Sequence, residues 1–246
     1  LCQSISCILS IIIVLKRLHS LKCNEDERVR IFDIHIFGRI AAIAVPSILQ
    51  QSFISVGNII IQSVINGFGT SVMAGYSAAV KLNNLVITSL TTLGNGISNY
   101  TAQNLGAGKK ERIRPGFFAG GKLVWIICIP FIILYWVAGR YLLLLFMEQS
   151  STSAIETGMQ FLRIISPFYM IVSIKLVADG VLRGAGKMGR FMITTFTDLI
   201  LRVALAILLS AHYGTAGIWS AWPIGWCIST TLSVVFFFTG EWNKKR

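Results

Sequence analysis

Gly106-Ala107-Gly108-Lys109 closes one long apolar stretch, and Gly184-Ala185-Gly186-Lys187 closes another. The same turn at the ends of two membrane-length runs marks an internal repeat, and the basic residues beside each copy mark a side of the membrane. Gly-Ala-Gly-Lys also suggests a phosphate cradle, because glycine lets backbone amides approach an anion and lysine neutralises it. The spacing opposes that reading. A phosphate-binding loop runs G-x-x-x-x-G-K and then Ser or Thr to hold magnesium, whereas Lys109 is followed by Lys110 and Lys187 by Met188. Both copies read as tight helix-to-helix turns at a membrane surface.

Composition outward from the turns agrees. The 246 residues are 54% hydrophobic and 13% charged, with a mean hydropathy of +0.70. The apolar residues come in runs too long for ordinary core helices. A window of about 19 residues finds complete spans at Phe37–Phe68, Thr70–Leu105, Phe117–Phe146, Ala154–Leu182, Phe191–Ala211 and Ile218–Thr239. Leu1–Leu15 reads as the tail of an earlier span. It has no initiating Met or basic leader and runs into Lys16-Arg17, which argues against a signal peptide. The expected organisation is therefore 1–15 as the end of a preceding helix, 16–36 as a cytosolic linker, 37–240 as a six-helix bundle and 241–246 as a basic cytosolic tail.

A formal charge of +12 would suggest nucleic acid in a soluble protein. Here the charge sits in short loops without interleaved aromatics, so no nucleic-acid partner is expected. The segments Lys16–Arg30, Lys109–Arg114, Arg183–Arg190 and Lys244–Arg246 hold about 15 of the 22 basic residues. The alternate loops, Asn66–Ser71, Met147–Glu156 and His212–Thr215, have no Lys or Arg. The basic set is thus expected in the cytosol, with a cytosolic C-terminus in a multi-pass cell-membrane protein. An odd number of spans then separates Leu1 from the C-terminus, so the chain reads as a fragment whose upstream half is absent. Cys2, Cys7, Cys23, Cys128 and Cys227 are scattered, and His19, His35 and His212 are isolated. They imply no disulfide framework, metal site, cofactor or catalytic constellation, and the expectation is that the protein is not an enzyme. Asn99-Tyr-Thr101 matches a glycosylation sequon but falls near the cytosolic end of a span, and is discounted.

Three stretches together carry a family resemblance: Gly75-Tyr-Ser-Ala-Ala-Val-Lys81, then Gln103-Asn104-Leu-Gly106-Ala-Gly108-Lys-Lys-Glu111-Arg112, then Gly180-Val-Leu-Arg183-Gly184-Ala-Gly186. In this order and at these span positions they resemble the multidrug and toxic compound extrusion (MATE) transporters, over nearly the whole chain. The match is to the second six-helix lobe of a twelve-helix, two-lobed protein. The resemblance implies an all-α integral membrane fold and an antiporter that exports organic, often cationic, compounds by alternating access. Export would be coupled to entry of sodium or protons, with the N-terminal lobe of the same protein as partner and a monomer when complete. A flippase of the same superfamily, moving a lipid-linked saccharide or peptidoglycan precursor, is the competing expectation.

Lys81, Lys175, Asp179, Asp198 and Arg202 stand inside the spans, where each charge costs about 2.5–3.5 kcal/mol at mid-membrane and calls for a partner or a watery cavity. Lys175 with Asp179, and Asp198 with Arg202, are four apart and share a helix face. Each pair either neutralises itself or lines the cavity. Lys81 has no acid on its own helix; it is expected to face the cavity near Asn83 and Asn84, with snorkelling to a headgroup as the alternative. Gln50, Gln51, Ser52, Ser55, Asn58 and Gln62 recur at helical spacing. They read as interhelical glue or as a cavity wall with Met73 and Tyr76 nearby. The NorM-like branch carries acidic cation ligands in the first and fourth helices of this lobe. Phe37–Phe68 has no acid and the fourth span offers Asp179, so the chain is closer to the DinF-like branch, whose coupling aspartate lies in the other lobe.

Overall fold

Lipid offers no partner for backbone N–H and C=O groups, so runs of this length must satisfy them internally as helices. The computed structural model, which describes residues 2–20, 33–240 and 242, is helical throughout, with no strand among the described residues. The helices are α1 (Cys2–Ser20), α2 (Ile34–Asn66), α3 (Thr70–Gly106), α4 (Ile113–Leu144), α5 (Thr152–Ile165), α6 (Tyr169–Gly184) and α7 (Met188–Phe238). Two compact units result: Leu1–Ala42, containing α1 and the first turns of α2, and Ile43–Arg246, containing the rest. Most of the expected linker 16–36 lies outside the described residues, although α1 continues through Lys16-Arg17 to Ser20. Of the basic tail, Trp242 alone is described.

Two of the helical regions carry breaks. The run Ala154–Leu182 is one crossing made of two helices, because Pro167 cannot donate to the ladder and Ser166–Phe168 tightens into a 3-10 turn between α5 and α6. The last two runs are joined as α7, whose 51 residues would extend about 75 Å if straight, far beyond one crossing. Gly214, at φ 58° and ψ −137°, divides it into two arms, residues 188–213 and 215–238. By length and apolarity α2, α4, α5 with α6, and α7 could cross a membrane. α3, at 37 residues, is long enough but more polar, and its buried residues include Asn83 and Thr101.

Both Gly-Ala-Gly-Lys turns close with the same hydrogen bonds. Lys109 N–H donates to Asn104 C=O at 2.8 Å and Lys187 N–H donates to Leu182 C=O at 2.9 Å, each spanning five residues. Gly108 and Gly186 hold φ of 72° and 70°, the left-handed conformation that lets the chain leave a helix while its last carbonyls stay bonded. The amides are spent on the helix ends and present no anion cradle.

Candidate functional site

Helices α3 and α6 meet closely. A Cβ on Gly180 would lie 2.4 Å from the Gly94 carbonyl oxygen, so the absence of side chains there is what lets the backbones touch. Beside the seam α3, α6, both arms of α7 and α2 line a partly open cavity of about 410 Å³. α2 contributes Gln50, Gln51 and Asn58; α3 contributes Asn83, Asn84 and Thr91; α6 contributes Lys175, Asp179 and Arg183. The first arm of α7 adds Phe191, Thr195, Asp198 and Arg202, and the second adds Trp222 and Trp226.

Asp179 is the best-partnered charge. One carboxylate oxygen accepts from Lys175 Nζ at 2.7 Å, and the other lies 3.0 Å from Thr194 Oγ1 and 2.7 Å from Ser233 Oγ. Three helical segments thus converge on a carboxylate that is 2% exposed. The second pair is looser: Arg202 Nη2 stands 3.8 Å from Asp198 Oδ2, while Asp198 Oδ1 and Arg202 Nε make no hydrogen bond. Arg202 also lies over the Trp222 ring, 4.7 Å from its centre. Arg183 donates to Asn95 at 2.8 Å and covers Phe191.

The structure brings together Gln51, Asn58, Asn83, Asn84, both charge pairs and Arg183 around this space. It does not bring in the others. Lys81 lies outside the lining; it is exposed, and its ammonium sits 5.2 Å from the centre of the Phe146 ring, close to the end of α4. Gln62 donates to Asn66 on its own helix at 2.9 Å. Tyr76 is buried and stacks on Trp219 at 5.2 Å and 7°, and Met73 packs half-buried against the same core. Gln103, Asn104, Gly106, Gly108, Gly184 and Gly186 belong to the turns. Lys122, Arg140 and Arg163 are further charges within helices, all exposed. Residues that the sequence reading passed over include Trp222, Trp226 and Ser233. Their signal was a 222/226/229/233 stripe at helical spacing on the last run, whose members are all buried.

A family model described as MatE matches residues 46–208. The chain belongs to the MatE family. "Probable multidrug resistance protein YpnP" of Bacillus subtilis is 29% identical over 208 residues, covering 84% of this chain and 46% of the relative. "Probable multidrug resistance protein YoeA", also of Bacillus subtilis, is 24% identical over 236 residues, covering 94% and 50%. The chain spans about half the length of these curated MatE relatives. The solved outward-facing structure of a multidrug resistance MATE family transporter aligns with a TM-score of 0.76 at 20% identity, over 82% of this chain and 45% of that one. The fold is accordingly that of one lobe of a MATE transporter.

Proposed function

We propose that this MatE chain forms the second lobe of a two-lobed efflux antiporter that exports small organic compounds, cationic ones among them, by alternating access in the cell membrane. Entry of sodium or protons drives it. The observation that carries the reading is the cavity: a bundle with an apolar outer face keeps five ionisable groups and five amides around one space. Buried charge in a membrane bundle is costly, and a solvated substrate path is its usual use. No step of bond chemistry is required, and the coupling carboxylate of the DinF-like scheme belongs to the other lobe.

Everted vesicles carrying the complete protein test this. Uptake of a fluorescent organic dye is expected on imposing a sodium or proton gradient and is lost when an ionophore collapses it. Vesicles containing residues 1–246 alone are expected to move no dye. Gradient-independent vesicles, or vesicles that translocate only polyprenyl-linked substrates, would overturn the exporter. Lys175, Arg183 and Arg202 in the lining favour that second reading, a lipid-linked saccharide flippase, because a diphosphate headgroup needs cations along its path.

A further inference from the structure

Donors and acceptors in the cavity do not balance. Asp179 has both oxygens engaged, and Lys175 is committed to it. Asp198 leaves one oxygen unbonded, but that oxygen abuts the second arm of α7: a Cβ on Gly225 would come within 3.0 Å of it. The negative groups are therefore occupied or turned into packing. The unmet groups around the space are mainly donors. Arg202 is 8% exposed with Nε unbonded, Trp222 is 6% exposed with Nε1 unbonded, and Arg183 Nε is also unbonded. A buried donor without an acceptor costs about 1–3 kcal/mol, and these three atoms are packed away from the open space; what the wall itself presents is an excess of positive charge, Lys175, Arg183 and Arg202 against Asp179 and Asp198.

We propose that Arg202 and Trp222 form a docking subsite for an organic anion, a flat aromatic compound bearing a carboxylate, sulfonate or phosphate. This rests on the transport reading above and names a substrate class for it. The guanidinium already lies over the indole, 4.7 Å from the ring centre, so its planar fork is held in place, and its Nη2 stands 3.8 Å from Asp198 Oδ2, too far for a hydrogen bond, which leaves its terminal donors to an oxyanion. Trp222 and Trp226 meet edge to face at 5.9 Å and 85°, offering apolar ring surface beside the charge. Arg183, whose hydrogen-bond partner is the neutral Asn95, adds a further cation to the wall. A volume of about 410 Å³ falls within the range of small-molecule pockets.

Two xanthene dyes of similar shape and opposite charge test the assignment: carboxyfluorescein and rhodamine 6G, bound to the complete protein in nanodiscs of zwitterionic lipid. Carboxyfluorescein is expected to bind about tenfold or more tighter than rhodamine 6G. Arg202→Gln should remove about tenfold of that affinity. Asp198→Asn/Arg202→Gln, which deletes both charges and leaves no unpaired ion, should show the same loss. Trp222→Leu removes the ring that holds the guanidinium in place, and should weaken the anion by roughly two- to fivefold. Tighter binding of rhodamine 6G, or full anion affinity in the double variant, would overturn the anion subsite while leaving transport intact. Binding of neither dye would count against the transport reading, and the subsite would fall with it.

Discussion

Asp179 separates what a span charge can do alone from what the fold adds. The Lys175 partner is four residues away, but Ser233 reaches the same carboxylate from a residue 54 positions later. Removing Lys175 leaves a buried anion with two hydroxyl donors, whereas removing the charge of Asp179 leaves a buried ammonium. Breaking such a pair costs about 3–5 kcal/mol, while replacing both members is often near neutral. Lys175→Met is therefore expected to lower the unfolding midpoint of the detergent-solubilised protein strongly. Lys175→Met/Asp179→Asn should recover most of the loss, since an amide can still accept from Thr194 and Ser233. A midpoint unchanged in the single variant would mean that the ammonium does not offset the burial of the Asp179 charge. The i,i+4 spacing made the pair readable in sequence. The hydroxyls were not, because a Ser or Thr in an apolar run commonly bonds its own helix, as Ser220 does with Ala216.

Elements were legible to different depths. Hydrophobic run length alone placed the helices, because lipid thickness dictates it. The turns were legible too, since a glycine after the last helical carbonyls is the residue that accepts left-handed φ. Which face of each helix meets which neighbour was not legible, and this is why Lys81 was expected beside Asn83 and Asn84 but lies over Phe146. Glycine shows the same limit: Gly94, Gly96 and Gly180 look alike in sequence, yet only the seam positions are crowded. Gly180→Ala would drive a methyl against the Gly94 carbonyl, with a cost of about 1–3 kcal/mol as α3 and α6 move apart. Gly96→Ala meets nothing within 4 Å and should stabilise α3 by about 0.5–1 kcal/mol. Thermal unfolding of the two variants side by side checks this. Equal shifts would show that the seam is looser than 2.4 Å implies.

At the scale of the molecule, helix order and packing fix two ends without saying which faces the cytosol. At one end the α2–α3 loop approaches the α7 break, with Phe68 3.8 Å from a Cβ placed on Gly214. At the other, a Cβ on Gly184 would strike the Ser98 carbonyl, and the Tyr100 hydroxyl donates to the Arg112 carbonyl at 3.1 Å, which places both Gly-Ala-Gly-Lys turns together. We propose the side from charge: Lys and Arg in short loops are generally retained on the cytosolic face, which would put the Gly-Ala-Gly-Lys end there. Lys110 lies in the turn after α3 and Ser151 just before α5; both are exposed, and they sit at opposite ends of the bundle. In a cysteine-free background of the complete protein, Ser151→Cys is expected to react with a membrane-impermeant maleimide added to intact cells. Lys110→Cys should react only after permeabilisation. The reverse pattern would invert the lobe, set the positive-inside bias aside for this chain, and make the same cavity serve uptake where export is proposed.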